Sequence, residues 1–260
     1  MIASPFELHQ GSIPLLVSAP HDGTALPPGF AERLTPEARR LPDTDWHVAR
    51  LYAFARGMGA SMIVPAYSRY VIDLNRGEDD VSLYPGQNTT GLLPVRRFDG
   101  GPVYADGAGP DEDEARERIE LYWRPYHAAL RGEVERLHAL HGRVLVWEAH
   151  SIRGELPWLF EGRLPDLNLG TAGGASCAAS TCGRIESVLR AQDQFDFVVD
   201  GRFKGGHITR RYGDPAHGIE AVQLELAQRS YMDEDSFAWD DARAARLQPL
   251  IRAMLEAALG

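Results

Sequence analysis

The stretch VLVWEAHS at residues 144–151 decides the fold, because it is a short apolar run that ends in polar, chemically useful residues. A second run of this kind, LLVSA at residues 15–19, leads into Pro20 and His21. Short apolar runs bounded by turn residues are typical of strands. In open α/β sheets, ligands bind outside the carboxyl ends of the strands. We therefore expect His21 and His150 to lie near one binding site.

Longer amphipathic segments alternate with the short apolar runs along the chain, which is the pattern of an α/β layer architecture. The candidate strands are residues 13–19, 61–66, 70–74, 143–149, 195–200 and 219–226. The candidate helices are residues 45–56, 111–141 with a break at Pro125, 177–191 and 239–259. Residues 76–109 and 167–183 are predicted loops. No repeat or linker divides the chain, so we expect a single α/β domain over residues 1–260.

Composition narrows the class of protein further. The 260 residues are 44% hydrophobic and 25% charged, which is typical of a globular protein. The net charge of −10 argues against binding to nucleic acid or to an anionic membrane surface. Two cysteines cannot build a disulfide framework or a zinc ribbon. The first residues lack the pattern of a secretory signal, and no stretch is apolar enough for a membrane span, so we expect a cytoplasmic protein.

Two histidines at strand ends suggest a metal site, and a catalytic zinc site usually needs three protein ligands. The segment DTDWH at residues 43–47 supplies further candidates at the start of a predicted helix. Helix capping is the alternative role for its aspartates. A purely structural role is the alternative for either histidine.

Glu225 interrupts a candidate strand that otherwise consists of buried residues. A buried carboxylate is costly unless it is paired, protonated or close to a cation. Water activated by a metal would give Glu225 a function. A salt bridge to one of the many arginines is the structural alternative.

Arginines in two segments could bind a carboxylate or polarise a carbonyl, since a guanidinium suits both tasks. Arg69 and Arg76 flank the candidate strand at residues 70–74, although Arg76 could instead pair with Asp73. His207, Arg210 and Arg211 follow a glycine pair, in a segment that would serve equally well as a substrate-binding loop or a surface turn.

These motifs together resemble the N-formylglutamate amidohydrolase family over about residues 13–232. The segments that carry the resemblance are PHDG at 20–23, DTDWHV at 43–48, SRYVIDLNR at 68–76, EAHS at 148–151, GRLPDLNLGT at 162–171 and GGHITR at 205–210. The family is distantly similar to zinc carboxypeptidases and aspartoacylase. The resemblance implies a mixed, mostly parallel central sheet flanked by helices, one Zn²⁺ per chain, and hydrolysis of N-formyl-L-glutamate in histidine degradation.

The resemblance also implies a role for particular residues. His21 and His150 would be zinc ligands, and Glu225 would be the catalytic glutamate. Arg69 would polarise the scissile carbonyl, and Asn75 with Arg76 would bind a substrate carboxylate. Arg210 or Arg211, helped by His207, would bind the second carboxylate.

The third metal ligand departs from the carboxypeptidase pattern, in which a glutamate follows the first histidine by three residues. Thr24 stands at that position. We therefore expect Asp45 to complete the site. The alternatives, in no fixed order, are Asp22, Asp43, His47 and Glu148.

Two other functions remain open at the level of the sequence. One is a related deacylase or carboxypeptidase that accepts a larger acyl group. The other is a non-catalytic protein that binds acidic metabolites and needs no metal. A serine hydrolase is disfavoured because the chain has no Gly-x-Ser-x-Gly motif.

Overall fold

A computed structural model describes residues 4–83 and 86–260. Its centre is a seven-stranded sheet with strand order β1-β3-β2-β4-β7-β5-β6. The strands are β1 Phe6–His9, β2 Leu15–Ser18, β3 Ser61–Pro65, β4 Val144–Ile152, β5 Leu167–Gly170, β6 Phe197–Val199 and β7 Ile219–Ala227. Neighbours pair in parallel except β1 with β3 and β5 with β7. The predicted mixed, mostly parallel sheet is confirmed.

Helices cover both faces of this sheet. They are α1 Phe30–Arg33, α2 Val48–Leu51, α3 Phe54–Gly57, α4 Glu112–Arg118, α5 Arg124–His141, α6 Ala179–Arg190, α7 His207–Tyr212 and α8 Asp241–Leu259. Successive side chains of a strand point to opposite faces of the sheet, so the residues of β4 contribute alternately to the hydrophobic cores on the two faces. Trp147 packs with α6 and α8, whereas Val146 packs with α5. The central strands are therefore buried on both faces, and the site lies at their carboxyl ends.

Two strands were not predicted, and one predicted strand is wrong. β1 and β5 form where the sequence indicates no strand, and β5 lies inside the predicted loop at residues 167–183. Residues 70–74 are buried but fold into turns. Side chains satisfy the carbonyls of this segment: Tyr104 Oη donates to Tyr70 O at 3.3 Å and Arg118 Nη1 donates to Val71 O at 2.9 Å. The apolar residues thus gain burial without strand pairing.

The predicted helix at residues 111–141 is continuous but changes its winding. A π-helical turn over Ile119–Trp123 joins α4 to α5, and Pro125 lies in the first turn of α5. Turns of this kind occur frequently at functional sites. The predicted break at Pro125 is therefore a local widening of the helix, which sets the positions of Trp123 and His127.

The segment after the second glycine of the pair at residues 205 and 206 is helix α7, where the sequence favoured a loop or turn. The loop predicted at residues 76–109 is largely irregular, and its residues 84 and 85 lie outside the described residues. In the part of the chain that is described, no helix combines the length and apolar character needed to cross a membrane.

Candidate active site

A cavity of about 70 Å³ opens at the carboxyl ends of β4 and β7. Seven of the side chains singled out in the sequence line it together: His21, Asp45, Arg69, Asn75, Arg76, His150 and Glu225. His150 and Glu225 lie on strands β4 and β7, His21 lies in the turn three residues after β2, and irregular segments carry the others. The sheet therefore brings together residues that are more than 200 positions apart in the chain.

His21, Asp45 and His150 form a buried cluster that could hold a metal ion. One ligand atom from each residue lies within 4.8 Å of the others. Asp45 Oδ2 is 2.9 Å from His150 Nδ1 and 3.7 Å from His21 Nδ1. Two imidazole nitrogens and one carboxylate oxygen are a donor set that suits zinc.

A second carboxylate holds each histidine from the far side of its ring. His21 Nε2 lies 2.7 Å from Asp73 Oδ1, and His150 Nε2 lies 2.6 Å from Glu148 Oε1. When Nε2 carries the proton and donates to these oxygens, both Nδ1 atoms are acceptors that face Asp45. Histidines that ligate metals are usually oriented in this way.

The cluster also has the polarity that a cation requires. His21 Nδ1 is buried and has no hydrogen-bond partner within residues 4–83 and 86–260. Burial by itself would lower the pKa of His150, but Glu148 and Asp45 hold that pKa well above its usual value. The surrounding carboxylates thus draw positive charge into the cluster. A metal ion would bind the unpartnered nitrogen of His21 and balance the negative charge of the surrounding carboxylates.

The four alternative third ligands have other partners. Asp22 Oδ1 accepts from Ala49 N at 3.1 Å, and His47 Nε2 lies 2.8 Å from Phe237 O. The remaining two alternatives, Asp43 and Glu148, also accept hydrogen bonds from other groups. Asp43 Oδ2 accepts from Tyr70 Oη and Phe98 N, and Glu148 accepts from Thr209 N and orients His150. Asp45 also accepts from Ser151 N at 3.1 Å, but its Oδ2 faces the Nδ1 atoms of both histidines, so the geometry favours Asp45.

Glu225 stands beside His150, because the two residues are register partners on the parallel strands β4 and β7. Burial raises the pKa of Glu225 to about 8, and the charge of His150 offsets this only in part. Gln223 Nε2 donates a 3.3 Å hydrogen bond to Glu225 Oε2. Arg69, which lines the same cavity, is held by other carboxylates, with Nη2 2.6 Å from Asp73 Oδ2 and Nη1 3.6 Å from Asp45 Oδ1. A buried carboxylate with a raised pKa beside the cluster of His21, Asp45 and His150 is a candidate for proton transfer.

Arg69 is 6% exposed and lies between the metal cluster and the cavity wall. Its Nη2 donates to Asp73 Oδ2 at 2.6 Å, and its Nη1 lies 3.6 Å from Asp45 Oδ1. Its guanidinium also stacks over the ring of Phe98, 4.5 Å from the centroid. These contacts fix a positive charge at the cavity beside the metal cluster.

Three donors hold the backbone of residues 74–76. His127 Nε2 lies 2.9 Å from Leu74 O, His207 N donates to Asn75 O at 3.4 Å, and Trp123 Nε1 donates to Arg76 O at 2.9 Å. Trp123 also stacks on His127 with ring centroids 3.9 Å apart. We call these three contacts the carbonyl clamp. The clamp fixes the main chain from which Asn75 and Arg76 reach the cavity.

The structure does not bring the three candidates from α7 into the cavity. His207 acts through its backbone in the clamp, and Arg210 and Arg211 are exposed. Gly206 approaches Asn75 so closely that a Cβ atom would lie 2.2 Å from Asn75 Nδ2. This approach turns α7 so that its buried residues are Ile208 and Thr209.

Arg202 and Thr90 line the cavity and were not predicted. Arg202 belongs to the glycine-rich segment GRFKGG at residues 201–206, so an arginine among glycines was the available signal. Thr90 had no distinguishing pattern, because its place depends on the course of the irregular segment at residues 76–109.

The sheet and the buried His–Asp–His cluster beside a glutamate define an α/β protein with a candidate metal site. The model of the N-formylglutamate amidohydrolase family matches residues 13–232. The chain belongs to the N-formylglutamate amidohydrolase family.

Relatives agree with this assignment over nearly the whole chain. The chain is 50% identical over 252 residues to the N-formylglutamate deformylase of Pseudomonas putida, covering 96% of this chain and 94% of that protein. It is also 50% identical over 251 residues to the N-formylglutamate deformylase of Pseudomonas aeruginosa, with the same coverage of each.

Solved structures extend the likeness to three dimensions. This chain matches the crystal structure of N-formylglutamate amidohydrolase from Ralstonia eutropha with a TM-score of 0.83 and 27% sequence identity. The match covers 98% of this chain and 97% of that one. A gene product of Agrobacterium tumefaciens has 17% identity and a TM-score of 0.71, covering 98% and 96% of the two chains. The second likeness shows the fold alone.

Proposed function

We propose that this protein hydrolyses N-formyl-L-glutamate to formate and L-glutamate, with one Zn²⁺ held by His21, Asp45 and His150. The observation that carries the proposal is the buried cluster in which both Nδ1 atoms face Asp45 while carboxylates hold both Nε2 atoms. The names of the relatives that are 50% identical supply the substrate. The family resemblance is the basis for assigning the reaction to histidine degradation.

Zinc at such a site supplies Lewis acidity, which activates water near neutral pH. The chain's own residues supply the other steps. Glu225 accepts a proton from the water that attacks the formyl carbon, and returns it to the nitrogen when the C–N bond breaks. Arg69 donates hydrogen bonds to the oxyanion that forms on the formyl oxygen. Formate and the free amine of glutamate then leave.

Asn75 and Arg76 hold one substrate carboxylate in this proposal. Arg76 Nε donates to Thr90 O at 2.9 Å, which orients the guanidinium along the cavity wall. The carbonyl clamp fixes the main chain behind it. Fixing a binding group before the substrate arrives lowers the entropic cost of binding.

Metal dependence is the first test of the proposal. Purified protein should contain about one zinc per chain by elemental analysis, hydrolyse N-formylglutamate, and lose activity on chelation. His150→Ala should lower both metal content and activity. His138→Ala is the matched control, because this histidine lies on α5 with its Nε2 2.9 Å from His217 O. Full activity in a verified metal-free preparation would contradict the zinc mechanism, and a binding protein would show no turnover at all.

A deacylase for larger acyl groups is the second candidate, because a cavity of about 420 Å³ shares Phe98, Ser151 and Ile152 with the first. Hydrolysis of N-formyl-, N-acetyl- and N-succinylglutamate separates the two candidates. We expect kcat/KM to be highest for the formyl substrate. A higher value for a larger acyl group would show that the second cavity receives it.

A further inference from the structure

Three arginines line the cavity, and their contacts divide them into two kinds. Arg69 is bound to Asp73 and lies near Asp45, so its charge belongs to the metal cluster. Arg76 and Arg202 both contact a single short strap, residues 88–90. Thr90 O accepts from Arg76 Nε at 2.9 Å, and Asn88 O accepts from Arg202 Nη2 at 3.2 Å.

The strap brings the two carbonyl groups that accept these hydrogen bonds close together. Residues 88 and 90 are two positions apart, so their Cα atoms are at most about 7 Å from one another. The two carboxyl carbons of glutamate are four carbon–carbon bonds apart, about 5 Å when extended. Two guanidiniums that bind carbonyls two residues apart on one strap suit a small molecule with two carboxylates.

A buried hydroxyl on the same strap points to a ligand. Thr90 is 6% exposed and lines the cavity, and its Oγ1 has no hydrogen-bond partner in the described part of the chain. Burying a hydroxyl without a partner costs free energy, so native structures usually provide one. A carboxylate oxygen in the cavity would accept this hydrogen bond.

Carbonyl groups of two separate segments accept hydrogen bonds from Arg202. Leu159 O accepts from its Nε at 3.3 Å, Asn88 O accepts from its Nη2, and the guanidinium lies 5.3 Å from the ring centroid of Phe203. A guanidinium oriented in this way suits a carboxylate ligand.

We propose that Arg202 and Thr90 form a subsite for the side-chain carboxylate of the substrate, while Arg76 and Asn75 bind its α-carboxylate. This assignment rests on the proposed function and specifies its substrate class: N-formyl amino acids with an acidic side chain. Arg202 and Thr90 determine specificity in place of Arg210 and Arg211.

The test compares three substrates that differ in one carboxylate each: N-formylglutamate, N-formylglutamine, and the α-amide of N-formylglutamate. Wild-type protein should prefer N-formylglutamate over N-formylglutamine by ~10²-fold in kcat/KM, the scale for losing one buried charged hydrogen-bonded pair. Arg202→Met should reduce this preference to less than about 5-fold by lowering turnover of N-formylglutamate alone. Turnover of N-formylglutamine then shows that the variant is folded and active.

Arg76→Met should produce the crossed result. It should abolish discrimination between N-formylglutamate and its α-amide and preserve discrimination against N-formylglutamine. Arg246→Met removes one exposed positive charge from α8 and should change neither ratio. The subsite assignment is wrong if Arg202→Met lowers kcat/KM equally for all three substrates, or if it removes the preference for N-formylglutamate over the α-amide.

Thr90→Val provides a second variant, because it removes the hydroxyl and keeps the carbonyl that holds Arg76. It should reduce kcat/KM for N-formylglutamate about 5-fold, the scale of one hydrogen bond, without lowering the melting temperature. A structural role would instead appear as a lower melting temperature with unchanged activity, which would contradict the proposal.

Binding of glutarate separates this inference from the proposed function. Calorimetry should show that wild-type protein binds glutarate more tightly than its monoamide, and that Arg202→Met removes the difference. If wild-type protein fails to hydrolyse N-formylglutamate, the proposed function fails, yet this binding difference still supports the dicarboxylate subsite. Equal glutarate affinity in wild type and Arg202→Met contradicts the subsite whatever the turnover.

Discussion

The two ends of the cavity are built on different principles. At the end that carries His21, Asp45 and His150, which we call the metal end, the strands β4 and β7 carry His150 and Glu225. Charged groups there hold one another, as Asp73 holds His21 and Glu148 holds His150. At the other end, which we call the arginine end, the main chain is irregular and neutral groups hold it. Trp123 and His127 there bind carbonyl oxygens of the segment that carries Arg76.

This difference predicts different consequences of substitution at the two ends. Removing one member of a buried charged network leaves its partners uncompensated, which is costly. Removing a neutral donor costs only about 1 kcal/mol per hydrogen bond. In the proposed function, the metal end carries the groups that react and the arginine end binds carboxylates. We therefore expect substitutions at the metal end to change kcat or metal content, and substitutions at the arginine end to change KM.

The largest effect should come from Glu225→Gln at the metal end. The change keeps the size of the side chain and removes its ability to accept a proton, so kcat should fall by ~10² or more. Metal content and KM should change little. Stopped assays of N-formylglutamate hydrolysis with elemental analysis of the same sample measure all three quantities.

Glu220→Gln is the matched control, because it alters a carboxylate of the same strand that contacts Thr181 and Cys177. Gln223→Glu would not serve, since it would add a charge beside Glu225. The Glu220→Gln control should keep near-normal kcat. Near-normal kcat in Glu225→Gln itself, or an unfolded variant, would indicate a structural role for Glu225 and would remove the distinction between the two ends.

The metal end was the more predictable from the sequence, because its residues follow local patterns. His21 and His150 come directly after or at the end of apolar runs, and Glu225 interrupts one. Parallel strands then bring such positions to one edge of the sheet. Asp45 was the expected third ligand, but DTDWH places several possible ligands within five residues, and the structure supplies the distances from Asp45 Oδ2 to both histidines that favour it.

The arginine end was less predictable, because contacts between distant segments determine its geometry. Residues 70–74 have the composition of a strand, yet side chains from α4 and a distant tyrosine satisfy their carbonyls. Arg210 and Arg211 follow a glycine pair as binding residues could, but the approach of Gly206 to Asn75 leaves them on the exposed side of α7. Neither outcome follows from local periodicity.

An intermediate effect should appear in the pH dependence of stability at the arginine end. Burial lowers the pKa of His127 to about 3, so the folded protein keeps this ring neutral. The unfolded chain takes up the proton near pH 6.5, so the stabilising contribution is fully present above pH 6.5 and is lost as the pH falls toward 3. By pH 5 the loss is about 2 kcal/mol, at ~1.4 kcal/mol per pH unit.

Denaturant unfolding of wild type and His127→Gln between pH 8 and pH 5 measures this contribution. The free energy of unfolding should fall less steeply with pH in the variant, which cannot take up the proton. His138→Gln, a histidine on the same helix, should retain the wild-type slope. Parallel curves for wild type and His127→Gln would show that a neutral His127 does not support the arginine end.

The smallest expected effect is that of Trp123→Phe. Phenylalanine keeps a ring that can stack on His127 and removes the N–H that binds Arg76 O, so one hydrogen bond of the carbonyl clamp is lost. A loss of about 1 kcal/mol corresponds to a KM about 5-fold higher, with kcat within 2-fold of wild type. Trp239→Phe is the matched control, since its indole N–H binds Asp241 at the start of α8. If the clamp acts through Arg76, adding Trp123→Phe to Arg76→Met should have almost no further effect on KM, because the group that the clamp positions is already absent. A 5-fold effect that persists in the Arg76→Met background, or an equal fall in kcat, would show that Trp123 does not act by positioning Arg76.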